Sequence, residues 1–219
     1  TVKVLSLDGG GAKGFYTLGV LREVEAVCGT KLADVFDLIY GTSTGSIIAA
    51  LLALGRTVDE VHAIYAENVL KIVSPFLPSA KSAALAALGE EVFGDVRFEK
   101  FTTGIGIVAT RWLDERPLIF KNEIARAAGR RSSFAPGFGC TVSDAVQASS
   151  SAYPLFNRKT VQLHNGDEVE LIDGGYCANN PSLYALADAV AISGTPADRV
   201  RLLSVGVGAY PEPLRPRLR

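Results

Sequence analysis

Residues 35–54, VFDLIYGTSTGSIIAALLAL, decide the fold. Val35, Phe36, Leu38, Ile39 and Tyr40 are the branched and aromatic residues of a buried strand. Gly41-Thr42-Ser43-Thr44-Gly45 follows at once, and residues 47–54 are apolar on every side, as in a helix buried all round. Gly-x-Ser-x-Gly between a strand and a helix is the nucleophile-elbow pattern. The reason is steric. The turn holds its serine in strained backbone geometry, so the flanking positions must lack bulk, and Gly41 and Gly45 meet that need. Ser43 then stands at a helix N-terminus, where the dipole favours developing negative charge. The pentapeptide alone would be an ordinary helix cap; the strand before it and the helix after it are the context that a nucleophile requires.

Upstream, residues 2–7 alternate into a short apolar strand. Asp8-Gly9-Gly10-Gly11-Ala12-Lys13-Gly14 leads from it into a helix with Phe15, Leu18, Leu21, Val24 and Cys28 on one face. Gly9, Gly11 and Gly14 satisfy the dinucleotide-binding pattern G-x-G-x-x-G. Successive glycines at a helix start present N–H groups to an anion, which is either a pyrophosphate or the oxyanion of an acyl transfer. No Gly-Lys-Ser/Thr follows, so a P-loop is excluded. A Rossmann site also needs an acid at the end of the second strand. Asp34 and Asp37 lie at the right distance in sequence but at its beginning.

Downstream, Thr57-Val58-Asp59-Glu60 is a capping box opening a helix with Val61, Ile64, Tyr65, Val69 and Ile72 at helical spacing. Residues 74–89, with two prolines and an alanine-rich run, read as a short mobile helix lying over the fold, a lid. Residues 104–112 and 117–121 read as strands, 134–139 as a turn-rich loop, and 141–153 as the start of a helix whose small residues let another backbone or a ligand come close. Residues 161–172 form a hairpin around Asn165-Gly166, the strongest short turn signal. Asp173-Gly174-Gly175 ends its second arm, a helix runs over 181–192 with Pro at its first turn, and 200–207 is a last strand. Strands alternate with helices, which predicts a largely parallel sheet with helices on both faces.

At 219 residues the chain suits one α/β domain, residues 1–219. Apolar residues make up 48% and charged residues 21%, a globular composition, and a net charge of −1 gives no reason to expect a nucleic-acid partner. The short basic tail at 214–219 reads as a solvated terminus. Cys28, Cys140 and Cys177 lack metal-like spacing and suit a reducing, cytoplasmic setting. No stretch approaches the length of a transmembrane helix, and no signal peptide is visible. The chain contains no Met, so its start is expected to be trimmed or processed, and either end of the domain is expected to be incomplete.

A serine nucleophile needs a base. The chain holds His62, in a helix, and His164, one residue before the hairpin turn among polar neighbours; neither follows Asp173. A triad would have to pair His164 with an earlier acid such as Asp114 or Asp144. A carboxylate can instead take the serine proton directly if burial raises its pKa, and Asp173, at a strand end entering a Gly-Gly turn, is placed for that.

LSLDGGGAKG, GTSTG and DGGYCANNP, in this order over residues 4–181, resemble the patatin-like phospholipases. The resemblance implies a three-layer α/β fold with a mainly parallel sheet, related to the α/β-hydrolase architecture. It implies a Ser43–Asp173 dyad that hydrolyses glycerolipid acyl esters through an acyl-enzyme, with transient contact at a membrane surface and no metal or cofactor. By the same resemblance Gly9, Gly10 and Gly11 form the oxyanion-hole loop, Lys13 steadies it, and Gly174 and Gly175 support Asp173. Ser46 stands where a second glycine often follows the elbow. Some bacterial relatives are effectors switched on by nucleotide second messengers in phage defence, so a nucleotide activator and a homo-oligomer are the partners to test for. The rival readings are a dinucleotide-binding oxidoreductase built on Gly9–Gly14 and a non-catalytic binding module on the patatin fold.

Overall fold

The structure, a computed structural model, describes residues 1–126, 134–193 and 196–209. The basic tail at 214–219 lies outside the described residues. In chain order the elements are β1 (Val2–Leu7), α1 (Gly14–Cys28), α2 (Leu32–Val35), β2 (Leu38–Thr42), α3 (Thr44–Ala53), α4 (Val58–Val73), α5 (Pro78–Val92), β3 (Gly104–Arg111), β4 (Pro117–Lys121), α6 (Val142–Ser149), β5 (Lys159–Gln162), β6 (Glu168–Asp173), α7 (Gly175–Ala178), α8 (Ser182–Ser193) and β7 (Val200–Val205), joined by short 3₁₀ turns.

The seven strands among the described residues form one mixed sheet. β7, β1, β2 and β3 run parallel; β4 and β6 are antiparallel to β3, and β5 to β6. Alternation along the central strands sorts the core into two layers. Leu5, Leu7, Ile39, Ile105 and Ile107 point to one face, where they meet helices α1 to α6. Val4, Leu38, Tyr40 and Val108 point to the other, where Ala185 and Ala189 of α8 cover them. With helices on both faces the central parallel strands β2 and β3 are buried along nearly their whole length, which is why they read as continuous apolar runs, whereas β7 at the edge exposes Arg201, Leu202 and Ser204. The expected three-layer α/β architecture is therefore observed, with an antiparallel flank formed by β4, β5 and β6.

Every residue of α3 is buried, as its unbroken apolar sequence requires. α4 opens with the expected capping box: Thr57 accepts from the Glu60 N–H and Glu60 accepts from the Thr57 N–H. The structure differs from expectation in three places. In α1, Leu18 and Leu21 are buried, but Phe15 and Cys28 are exposed, Phe15 resting its ring edge against Tyr65 and His62. The stretch expected to be a short mobile lid holds a helix of 15 residues, α5, fixed along one face. Leu85, Leu88 and Gly89 fall on that face at helical spacing and are buried; a Cβ on Gly89 would lie 2.4 Å from Ser143 Oγ of α6. The hairpin turn is longer than a two-residue Asn-Gly turn: Leu163 and Asp167 close it, with Gly166 at φ 89°.

One feature of the sheet positions the site. β2 and β4 both pair with Gly106–Val108 of β3, so they occupy its opposite edges. β4 and β6 both pair with Ala109 and Thr110, so they too are on opposite edges. β2 and β6 therefore lie end to end on the same edge of β3. Thr42 faces Val108 and Asp173 faces Ala109, the next residue, so the two strands meet at their C-terminal ends.

Candidate active site

Ser43 follows Thr42 where β2 stops. Its backbone is at φ 52°, ψ −125°, a region that costs an L-residue about 1–3 kcal/mol and persists only when the surroundings fix it. The surroundings do so through backbone. A Cβ on Gly41 would lie 2.2 Å from the Gly45 carbonyl oxygen, and one on Gly45 would lie 2.3 Å from that of Leu7. Both elbow glycines are thus required by close approach. Ser46, where a further glycine was the commoner choice, donates its hydroxyl to the Ser43 carbonyl at 2.6 Å.

Ser43 Oγ donates to Asp173 Oδ2 at 2.5 Å. The other carboxylate oxygen, Oδ1, accepts from the Gly175 N–H at 2.7 Å. Gly174 is needed because a Cβ there would sit 2.1 Å from the Val108 carbonyl oxygen. Asp173 is 6% exposed, and desolvation pushes its pKa up to about 6 against the lowering effect of the Ser43 and Gly175 hydrogen bonds. The carboxylate is therefore ionised at neutral pH yet basic enough to accept a proton. Neither histidine is in these hydrogen bonds. His62 packs against the Phe15 ring, its centroid 5.6 Å away. His164 is exposed at the hairpin turn, a strand length from Asp173, on the order of 15 Å.

The glycine loop runs past the elbow. The Gly9 N–H donates to the Asn179 carbonyl at 3.0 Å, so it is not available to an oxyanion; its lack of a side chain keeps it clear of Asn179 Oδ1 and Ser43 Cβ. This corrects the expectation that all three glycines donate. The N–H groups of Gly10 and Gly11 have no hydrogen-bond partner among the described residues. Gly11, at φ 56°, turns its carbonyl onto two hydroxyls, Thr44 Oγ1 at 2.9 Å and Tyr65 OH at 2.5 Å. Burial pushes the Tyr65 phenol up to about 12, which keeps it a neutral donor. Lys13 is half-buried, and its N–H closes the loop on the Gly10 carbonyl at 3.3 Å.

Three supports escaped the sequence reading. Tyr65 looked like a core position of α4. Ser149 is fully buried, accepts from the Ser43 N–H at 2.9 Å and donates to the Val108 carbonyl at 2.6 Å. The crowd of small residues at the end of α6 was its signal. Asn179 ties the loop after Asp173 to the glycine loop.

An apolar cavity of about 420 Å³ opens at Ser43. Ile64 and Val69 of α4, Leu85 and Leu88 of α5, and Phe156 line it. The dinucleotide reading does not survive the topology. Asp37 precedes β2 and accepts from the Lys3 N–H, at the end of the sheet opposite the glycine loop, so it cannot reach a ribose held there. Among the described residues no group of His, Cys, Asp or Glu could hold a metal ion, and no helix is long and apolar enough to cross a membrane.

Known proteins resemble this chain in sequence and in fold. The chain is 57% identical over 211 residues to a cUMP-AMP-activated phospholipase of Escherichia coli, matching 96% of this chain and 66% of that protein. A cGAMP-activated phospholipase of Escherichia coli strain TW11681 is 29% identical over 208 residues, 85% of this chain and 55% of the relative. The chain thus spans roughly half to two thirds of the length of these relatives. In fold it matches VipD of Legionella pneumophila with a TM-score of 0.57 at 13% identity, over 94% of this chain and 50% of VipD. The sequence pattern of the patatin-like phospholipases matches residues 5–186, and with it the chain belongs to the patatin-like phospholipase family.

Proposed function

We propose that residues 1–219 form one catalytic domain of a lipid acyl hydrolase of the phospholipase A type, with Ser43 as nucleophile and Asp173 as base. The observation that carries this is the 2.5 Å hydrogen bond from a strained Ser43 to a buried carboxylate at the mouth of an apolar cavity. Ser43 Oγ attacks the ester carbonyl carbon and its proton passes to Asp173 Oδ2. The oxyanion is held by the Gly10 and Gly11 N–H groups and the N-terminus of α3. Collapse breaks the bond to the glycerol oxygen, which leaves with the proton from Asp173. Water then attacks the acyl-enzyme, Asp173 takes its proton, and the fatty acid departs as Ser43 is restored. The apolar cavity suits the acyl chain. A binding module would have no use for strain at Ser43 or a desolvated carboxylate beside it.

The printed name of the 57% identical relative supports a cyclic dinucleotide, cUMP-AMP, as activator of the whole protein. We infer a nucleotide-switched effector in phage defence that acts from the cytoplasm on the membrane surface. A fluorophosphonate probe should label Ser43, and fatty acid release from phospholipid should rise when cUMP-AMP is added. Labelling at another residue, or none on folded, activated protein, would remove the hydrolase reading.

A further inference from the structure

The mouth of the Ser43 cavity is bordered by apolar side chains that are exposed among the described residues. Ile72 and Val73, at the end of α4, line the cavity, and so does Lys81, in the first turn of α5. The turn between them carries Phe76 at 95% exposure and Leu77 at 58%, and Leu70, in the last turn of α4, is 66% exposed. On the other lip Leu155 lines the cavity and is still 61% exposed. A soluble surface seldom gathers large apolar groups around one opening unless something covers them.

The charge at this lip is carried by Lys81, while Lys71 pairs with Glu67 one turn back on α4 at 3.3 Å. No acidic residue occurs between Glu67 and Glu90, and the charged side chains in that interval are Lys71 and Lys81. The chain as a whole has a net charge of −1, so the basic bias is local. Apolar groups that insert, beside a lysine that meets phosphate, are the pattern of a surface lying in the interface of an anionic bilayer. A second protein copy would not call for the lysine.

We propose that the α4–α5 turn, with Leu70, Phe76 and Leu77, and Leu155 across the opening form the lip that docks the cavity on an anionic phospholipid bilayer. The proposal rests on the lipid acyl hydrolase reading. It adds the route by which a chain leaves the bilayer and enters the cavity beside Ser43 without crossing bulk water.

The test uses the full-length protein with cUMP-AMP present and compares it with the double variant Phe76→Ser, Leu77→Ser. Both side chains are exposed and lie outside the cavity lining, so the fold is not at risk. Sedimentation with vesicles of phosphatidylglycerol, and with vesicles of phosphatidylcholine, measures docking; a soluble p-nitrophenyl ester measures the catalytic centre alone. The expected result is preference of the native protein for phosphatidylglycerol. The variant should lose tenfold or more in vesicle binding and in fatty acid release, with turnover of the soluble ester unchanged. Unchanged vesicle binding by the variant overturns the proposal. So does native protein that ignores vesicles, or a variant that changes oligomeric state while binding vesicles as before, which would assign the lip to a second copy. Lip-dependent vesicle binding by a protein inert toward every ester would keep the docking surface and reject the hydrolase.

Discussion

Replacing Asp173 by Asn should abolish catalysis and at the same time make the protein more stable, and the size of the second effect follows from the site. Asn has almost the volume of Asp. Its Oδ1 can keep the Gly175 N–H bond, while its Nδ2 turns toward Ser43 Oγ as a donor. The proton acceptor is gone, so turnover should fall by roughly a thousandfold or more. The folded-state pKa of Asp173 is raised from 3.8 to about 6. An acid whose pKa is raised on folding holds its proton in the native state after the unfolded chain has lost it. Native stability therefore falls as pH rises from 4 to 6, and the penalty is complete above 6. A shift of about two units corresponds to about 3 kcal/mol. Asn removes that penalty. Below pH 4 the variant and native protein should melt together. Above pH 6 the variant should melt higher by roughly 6–12 °C, the scale for a domain of this length. Calorimetry or dye-monitored melting across pH 3.5–8, beside an esterase assay, measures both. A melting difference that does not change with pH would refute the desolvated carboxylate. An active Asp173→Asn protein would refute the dyad.

Three further outcomes follow from the same geometry. Activity should decline toward acid with a midpoint near 6 as Asp173 gains its proton, and His62→Ala and His164→Ala should leave that profile in place; a profile that shifts or vanishes in His164→Ala would restore a histidine base. Gly10→Val should lower kcat by on the order of a hundredfold or more with a smaller change in KM, because even a Cβ there lies 2.7 Å from Val207 and the loop must bend away from the oxyanion. Ser149→Ala removes the acceptor for the Ser43 N–H and the donor to Val108, and should cost about 1–3 kcal/mol in stability and lower kcat more than it raises KM; wild-type kinetics would free Ser149 of any role in holding the elbow.

The parts legible in sequence were those whose cause is local. The elbow is a contiguous strand, turn and helix, and its two glycines sit beside the serine they serve. The Thr57–Glu60 capping box and the 161–172 hairpin are equally short-range. What stayed hidden depends on residues brought together from far along the chain. Gly9 looks identical to Gly10 and Gly11 until the Asn179 carbonyl takes its N–H. Tyr65 and Ser149 look like a core aromatic and a small helix residue until their hydroxyls find the glycine loop and the elbow. Phe15 keeps helical spacing with Leu18 and Leu21, yet it faces a neighbouring helix's rings at the surface. Mixed sheet polarity was also invisible, because a strand's apolar alternation does not record the direction of its partner.

The head-to-head meeting of β2 and β6 on one edge of β3 makes β3 a ruler for the reaction. Ser43 and Asp173 are measured from adjacent marks, Val108 and Ala109, and not from each other. A slip of β6 by one residue would carry the carboxylate about 3.3 Å along the ruler and swing it to the opposite face of the sheet. Length changes in the hairpin turn at 163–167 leave the marks untouched, whereas a single insertion within 168–172 misreads them. Over evolutionary time, then, that hairpin turn can lengthen and shorten freely, but the edge of β3 must keep its count.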